Sequence, residues 1–440
     1  MSALPPGPRM PRALQAIGWT QRPLPFLERC QRRYGDTFTL RIRHWGDWVI
    51  LADPADVKKV FTAGDAVGVD IANPLLGPVL GPRSVMLLEE PEHMTRRKLM
   101  LPSFHGRSVA AEAEAMTALA QRAIDGWPLG EPFALWPRMQ DITLDVVMRA
   151  VFGPDPDPRL ETLRERLRTL TGWLNEPRNL AMLSLFGPDF VARSRGYRAA
   201  MEPVEAAAMD EVRRRRAEPG REDIVSMLVG ARYEDGSPMS DRDLRDELVT
   251  LLSDGPTSTS LSWAFERLLR NPEALAHARA DALDGDGSYL DAVVKETLRL
   301  RPPVPVVVRR LLEPMRLGGH DLPAGTTVAP CIHLIHRSER WYERPRLFRP
   351  ERFLEQPPGT YTWIPFGGGV RRCLAASYAE MEMKRVLRTI LSTLELRSAA
   401  SDSERSRRSA ISFSPDQSGL VIAERRTAGA AGDAPTLAAA

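Results

Sequence analysis

The chain has 440 residues, 43% of them hydrophobic, enough for a sizeable buried core in one large domain or in two or three smaller ones. Its 60 basic and 57 acidic side chains leave a net charge of +3, which argues against a dedicated nucleic-acid binder. Three cysteines set far apart, Cys30, Cys331 and Cys373, exclude a disulfide framework and a zinc cluster of the CxxC kind, and they suit a reducing compartment.

Residues 1–12 are proline-rich and predict an extended lead-in. No stretch there is apolar enough for a signal peptide or membrane anchor, and no later run reaches membrane-spanning length, so the expectation is a soluble cytoplasmic protein. From Ala13 to Tyr34 apolar residues recur at helical spacing, and Gly35-Asp36 ends that helix. TFTLRI and DWVILAD alternate like strands, with a turn expected at Trp45-Gly46-Asp47. Residues 108–300 read as mostly helical, in SVAAEAEAMTALAQRAIDGW, ITLDVVMRAVFG and EPVEAAAMDEVRRRRAE. DRDLRDELVTLLSDGPTSTSLSWAFERLLRN predicts one long helix, apolar on nearly all sides in its middle, as a buried central helix would be. After a helix over 288–301, EPMRLGGHDLPAGTTVAPCIHLIH reads as a second strand-rich patch. A last helix begins just after Cys373, and residues 426–440 read as a disordered tail. The expected class is α+β, mainly helical, with one domain over residues 13–425.

The loop PFGGGVRRCLA, Pro365 to Ala375, carries the chemistry. It lacks the Lys-Ser/Thr of a phosphate-binding P-loop, and no third glycine or later acid fits the dinucleotide fingerprint. A metal ligand fits better. A cysteine at a helix N-terminus meets the positive end of the dipole and free N–H groups, which lower its pKa and make a soft thiolate ligand for iron. Gly367, Gly368 and Gly369 let backbone approach a flat ligand, and Arg371 can meet an anion beside the metal. On residues alone, a buried cysteine in a turn is the other reading.

Phe366-x-x-Gly369-x-Arg371-x-Cys373-x-Ala375 resembles the haem-binding loop of the cytochrome P450 superfamily, the haem-thiolate monooxygenases of soluble bacterial type. That family usually has glycine where Ala375 stands. Glu296-Thr-Leu-Arg299 matches its ExxR pair and Pro350-Glu351-Arg352-Phe353 its PERF segment, in the family's order, and the resemblance spans roughly residues 5–425. It implies the P450 fold, with haem b between a large helical part and a smaller strand-rich part, and Cys373 as axial ligand. Glu296, Arg299 and Arg352 would form a buried charge network behind the loop; without the loop, an exposed helical ion pair is the other reading. Phe366, Gly367 and Ala375 would touch the haem, and His93, Arg97, Arg309 and Arg371 would meet its propionates rather than stand as solvated surface groups.

The family's oxygen site pairs an acid with an alcohol on the central helix. Aligning LVTLLSDGPTSTS puts Thr257 at the acid position and Ser258 at the alcohol position, with Asp254 the carboxylate nearby. Ser258 can donate, whereas Thr257 cannot relay protons as a carboxylate does. Pro256 would cost about 3 kcal/mol inside a plain helix, and the carbonyl it frees could hold a water. Three readings follow: a monooxygenase whose protons travel by Ser258, water and Asp254; a haem-thiolate enzyme that uses peroxide or rearranges its substrate; or a haem-binding protein with little turnover. Asp254 would relay protons or anchor a polar substrate group, or else turn away to bond backbone.

By the same resemblance, the distal pocket draws on Asp70–Val85, Trp173–Phe190, Pro303–Val308 and Ile411–Phe413. Ile71, Leu75, Leu76, Leu80, Leu183, Phe186, Val304, Val307 and Phe413 would make it apolar, suiting a terpenoid, steroid or fatty-acid-like substrate, though each could equally be core. The chain carries no flavin or iron–sulfur motif, so electrons would come from a ferredoxin-type partner meeting Arg372, Lys384, Arg385 and Arg388, which otherwise form a solvated helix face. Partners would be this substrate, O2 and that donor, with no nucleic acid and no membrane anchor; a monomer is the family's default.

Overall fold

The computed structural model describes residues 4–69, 73–104, 107–154, 157–218, 220–221, 223–253, 255–409 and 412–426. Helices dominate, and among the described residues four small sheets lie between them. The five-stranded sheet runs in the order Thr37–Ile42, Gly46–Leu51, Thr327–Pro330, Arg309–Leu311, Val67–Gly68. Only the pairing of Gly46–Leu51 with Thr327–Pro330 is parallel. That one long-range pairing joins the beginning of the chain to its second strand-rich patch.

The lead-in is part of this sheet. The Thr39 N–H donates to the Pro6 carbonyl at 2.9 Å, the Arg41 N–H to Gln15 Oε1 at 2.8 Å, and the Arg43 N–H to the Arg12 carbonyl at 3.4 Å. The outer edge of the first strand is thus closed by the segment before it. Gly7 passes so close that a Cβ there would sit 1.9 Å from the Thr39 carbonyl oxygen.

Four expected boundaries move. The helix expected over Ala13–Tyr34 is two, Arg12–Gln21 and Pro23–Tyr34, because Arg22 precedes a proline and takes φ −143°, ψ 61°. The first hairpin pairs Ile42 with Gly46, so its turn is Arg43-His44-Trp45, with His44 at φ 67°. IHLIH, taken as strand, is the short helix Ile332–His336. The long central helix is also two, Asp241–Leu252 and Pro256–Leu269. Pro256 opens the second, where its missing N–H is no loss, so the cost expected for a mid-helix proline does not arise.

The largest core cluster gathers Leu261, Phe265 and Leu268 from the second central helix, Leu290, Val294 and Leu298 from the helix Ser288–Leu300, and Val386, Leu387 and Ile390 from the helix Ala376–Thr393. Trp363 and Phe366, at the start of the Cys373 loop, pack against this cluster. Residues 427–440, expected as a tail, lie outside the described residues.

Candidate functional site

The loop is held from behind. Glu296 and Arg299, three apart on the helix Ser288–Leu300, are both fully buried. Arg299 Nε donates to Glu296 Oε2 at 2.6 Å and Nη2 to Oε1 at 2.8 Å, a two-toothed pairing. Arg352 Nε reaches the same carboxylate at 3.2 Å, and the Arg349 N–H donates to it at 2.8 Å. Arg299 Nη1 also donates to the carbonyls of His336 at 2.7 Å and Pro345 at 2.8 Å. Tyr342 places its ring 4.9 Å from the Arg299 guanidinium carbon and donates its hydroxyl to the Thr362 carbonyl at 2.9 Å.

The link from this network to the loop is His336, a residue the sequence did not single out. Its Nε2 accepts the Ile364 N–H at 2.8 Å, and its Nδ1 lies 3.2 Å from the Arg299 carbonyl. An acceptor at Nε2 fixes the tautomer, so Nδ1 carries the proton and donates. Burial, then the Arg299 charge, pulls this imidazole down to about 3 and keeps it neutral. Ile364 in turn accepts the Gly367 N–H at 3.0 Å.

The glycines divide by job. A Cβ on Gly369 would sit 1.9 Å from the Phe61 carbonyl oxygen, and one on Gly368 2.3 Å from the Phe61 ring. Both therefore let the loop pack on the helix Pro54–Thr62, which corrects the expectation that all three face a flat ligand. Gly367, at φ +69°, has no atom within 4 Å of a Cβ position. Phe366 accepts the Cys373 N–H at 2.9 Å and packs edge-on against Trp363 at 6.2 Å.

Cys373 is exposed, yet burial pushes its thiol up, opposed by the Ala375 N–H and by Arg372 and Arg97. The helix begins at Ala376, with Ala375 as its cap residue, and the Ala375 N–H lowers the thiol pKa against the larger effect of burial.

Three arginines from three elements converge here. Arg97 feels Cys373; its pKa is lowered by burial and raised in part by that sulfur. Arg309 is drawn down to about 10 by burial and then by the Arg371 charge. Arg371 is lowered by burial, donates Nη1 to the Leu88 carbonyl at 2.9 Å, and holds Glu89 and Glu90 at 3.6 Å. Its buried Nη2 makes no hydrogen bond. Among the described residues, neither Arg97 nor Arg309 pairs with a carboxylate. Partly desolvated cations facing one another need an anion between them. The donor set fits a flat dianionic ligand carrying a metal that takes one thiolate. His93 is buried, with Nδ1 2.7 Å from Glu90 Oε1, which leaves Nε2 as its route to such an anion.

On the central helix, Thr257 and Ser258 are both buried, and Ser258 Oγ donates to the Gly255 carbonyl at 3.1 Å. Asp254 lies outside the described residues, as do Ile71 and Ile411. Of the expected pocket residues, Val304 and Val307 are half-buried, Leu80 and Phe413 are core, and Phe186 points outward, 54% exposed, against Phe190. On the opposite face Arg372 is exposed, while Arg388 donates to the Gly285 carbonyl at 3.0 Å and is already engaged. No helix among the described residues is long and apolar enough to cross a membrane.

A family model for cytochrome P450 matches residues 3–419. Among named relatives, cytochrome P450 135B1 of Mycobacterium bovis is 43% identical, over 91% of this chain and 87% of its own. Cytochrome P450 137 of Mycobacterium tuberculosis is 36% identical, over 93% and 89%. Of solved structures, retinoic acid-bound cyanobacterial CYP120A1 superimposes with a TM-score of 0.83 at 21% identity, covering 97% of this chain and 100% of its own. The haem domain of cytochrome P450DA gives a TM-score of 0.82 at 22% identity, covering 97% and 99%.

Proposed function

The chain belongs to the cytochrome P450 family, and from that premise we propose that it hydroxylates or epoxidises an apolar small molecule with haem b ligated by Cys373. The family makes it a haem-thiolate monooxygenase, taking O2, a small-molecule substrate and electrons from a redox partner. Bound haem supplies the activation of dioxygen, with the thiolate favouring O–O cleavage.

The chain's residues do the rest. Arg97, Arg309 and Arg371, with His93, balance the two carboxylates of the porphyrin. The Ala375 N–H would steady the sulfur, and Phe366 and Gly367 are the loop residues that would hold the haem. Glu296, Arg299, Arg352 and His336 fix the height of that loop. Val304 and Val307, half-buried, give a substrate apolar wall. Ser258 passes protons after its hydroxyl turns from the Gly255 carbonyl; Thr257 places that hydroxyl, and Asp254 is the carboxylate that recharges it. Electrons arrive from a ferredoxin-type donor at the face carrying Arg372, Lys384 and Arg385. The protein acts as a cytoplasmic monomer.

The observation that carries this reading is that Arg97 acts on Cys373 while Arg371, which neighbours Arg309, and Arg97 both act on the buried His93. A second reading, turnover driven by peroxide, draws support from Ser258, whose hydroxyl is already spent on the Gly255 carbonyl. The test is the reduced, carbon monoxide-treated holoprotein, then turnover of apolar compounds with ferredoxin, its reductase and NADPH beside peroxide. A red-shifted Soret band lost in Cys373→Ser, with product from NADPH, is expected. A haem-loaded protein without that band ends the reading, and product from peroxide alone selects the second.

A further inference from the structure

Arg408 is a half-buried cation held between two aromatic rings. Arg408 stands on the strand Ser406–Ser409, opposite Phe413 on the strand Ser412–Pro415. Trp263 Nε1 pins this hairpin to the second central helix by donating to the Phe413 carbonyl at 2.7 Å. The strand bearing Arg408 also meets the helices Arg12–Gln21 and Pro158–Asn175. Its guanidinium carbon lies 4.8 Å from the Phe413 ring centre and 5.2 Å from that of Trp19. Nη2 donates to the Trp19 carbonyl at 3.1 Å, and Nε, buried, has no partner.

Three fully buried arginines here are neutralised by carboxylates. Arg215 holds Glu211 and Asp223, Arg299 holds Glu296, and Arg96 holds Asp243 and Glu247. Among the described residues no carboxylate pairs with Arg408. Burial alone draws its pKa to about 10, so it is still charged at neutral pH. The side chain nonetheless keeps accessible surface. The strand paired with its own, Ser412–Pro415, packs on the second central helix, which carries Ser258. The rings beside it are apolar, Trp19 and Phe413.

We propose that Arg408 anchors the anionic end of the substrate, so that this enzyme acts on apolar molecules ending in a carboxylate or similar oxyanion. The proposal rests on the monooxygenase reading above. Two aromatic rings hold the guanidinium, leaving its N–H edge for an oxyanion. A fork of N–H donors receives a carboxylate through two parallel bonds, which a neutral ester cannot match. The rival explanation is a clamp that merely staples the hairpin to Trp19.

The experiment titrates the holoprotein with alkanoates from ten to eighteen carbons and an arylalkanoate, each beside its methyl ester, following the Soret shift and calorimetric heat. At least one acid should bind about 10- to 100-fold tighter than its ester, the range of a charge-assisted hydrogen bond. Arg408→Gln should erase that preference while ester affinity and the reduced carbon monoxide band stay unchanged. Arg408→Lys should keep part of it, and carries the test should Arg408→Gln fail to load haem. No acid outbinding its ester, or a preference that survives Arg408→Gln, overturns the proposal. Such a failure leaves the wild-type carbon monoxide band intact, whereas failure of the monooxygenase reading removes the band itself.

Discussion

Replacing His336 by leucine tests how the buried charge network reaches the haem loop. The Ile364 N–H, 2.8 Å from Nε2, would lose its acceptor, and the Arg299 carbonyl would lose a donor at 3.2 Å. His336 and Arg299 are fully buried and Ile364 nearly so, leaving no ready path for water to replace the lost bonds. Each of the two orphaned groups costs about 1–3 kcal/mol, so the variant should lose about 2–6 kcal/mol in urea unfolding of the haem-loaded protein. The same histidine sets a pH dependence. Its folded pKa, about 3, lies below the ordinary 6.5, so between those values the unfolded state binds a proton that the folded state refuses. Its contribution is fully present above pH 6.5 and is lost on acidification, by up to about 1.4 kcal/mol per pH unit. His336→Leu should therefore be less stable at pH 7 and lose less than wild type between pH 6.5 and 4. A cost under about 1 kcal/mol with an unchanged acid slope would refute the claim that this imidazole carries the loop.

Gly369→Ala should abolish haem retention, since its Cβ would meet the Phe61 carbonyl 1.9 Å away, whereas Gly367→Ala, with open space, should cost only about 1–2 kcal/mol for its positive φ. Haem content after gel filtration separates the two. Glu296→Gln leaves Arg299 and Arg352 without their shared carboxylate and should cost about 3–5 kcal/mol in denaturant unfolding, with Glu296→Asp recovering part. Ser258→Ala should lower product formed per NADPH consumed and raise peroxide release, with substrate binding spectra unchanged.

What the sequence made legible was local. Glu296 and Arg299 sit one helical turn apart, and Gly369, Arg371 and Cys373 share one short loop, so their relation survives without knowledge of the fold. What it concealed depends on distant segments meeting. His336 matters because Arg299 and Ile364 come to either side of it, 37 and 28 positions away. Glu89 and Glu90 become partners of Arg371 only through a separation of nearly three hundred residues. The break before Pro256 could have been read locally, since proline favours a helix's first turn; apolar residues continuing across it masked the signal. Phe186 was assigned inward for being apolar, but a large aromatic side chain can also stand outside.

The segment around Pro5 and Pro6 lies along a strand that would otherwise end the sheet. Deleting it would bare Thr39 and its neighbours as an open template for another chain, and the product should form oligomers before it loses secondary structure. Affinity handles and fusions are therefore better placed after residue 426 than before residue 4, where they would pull on the sheet's own seal.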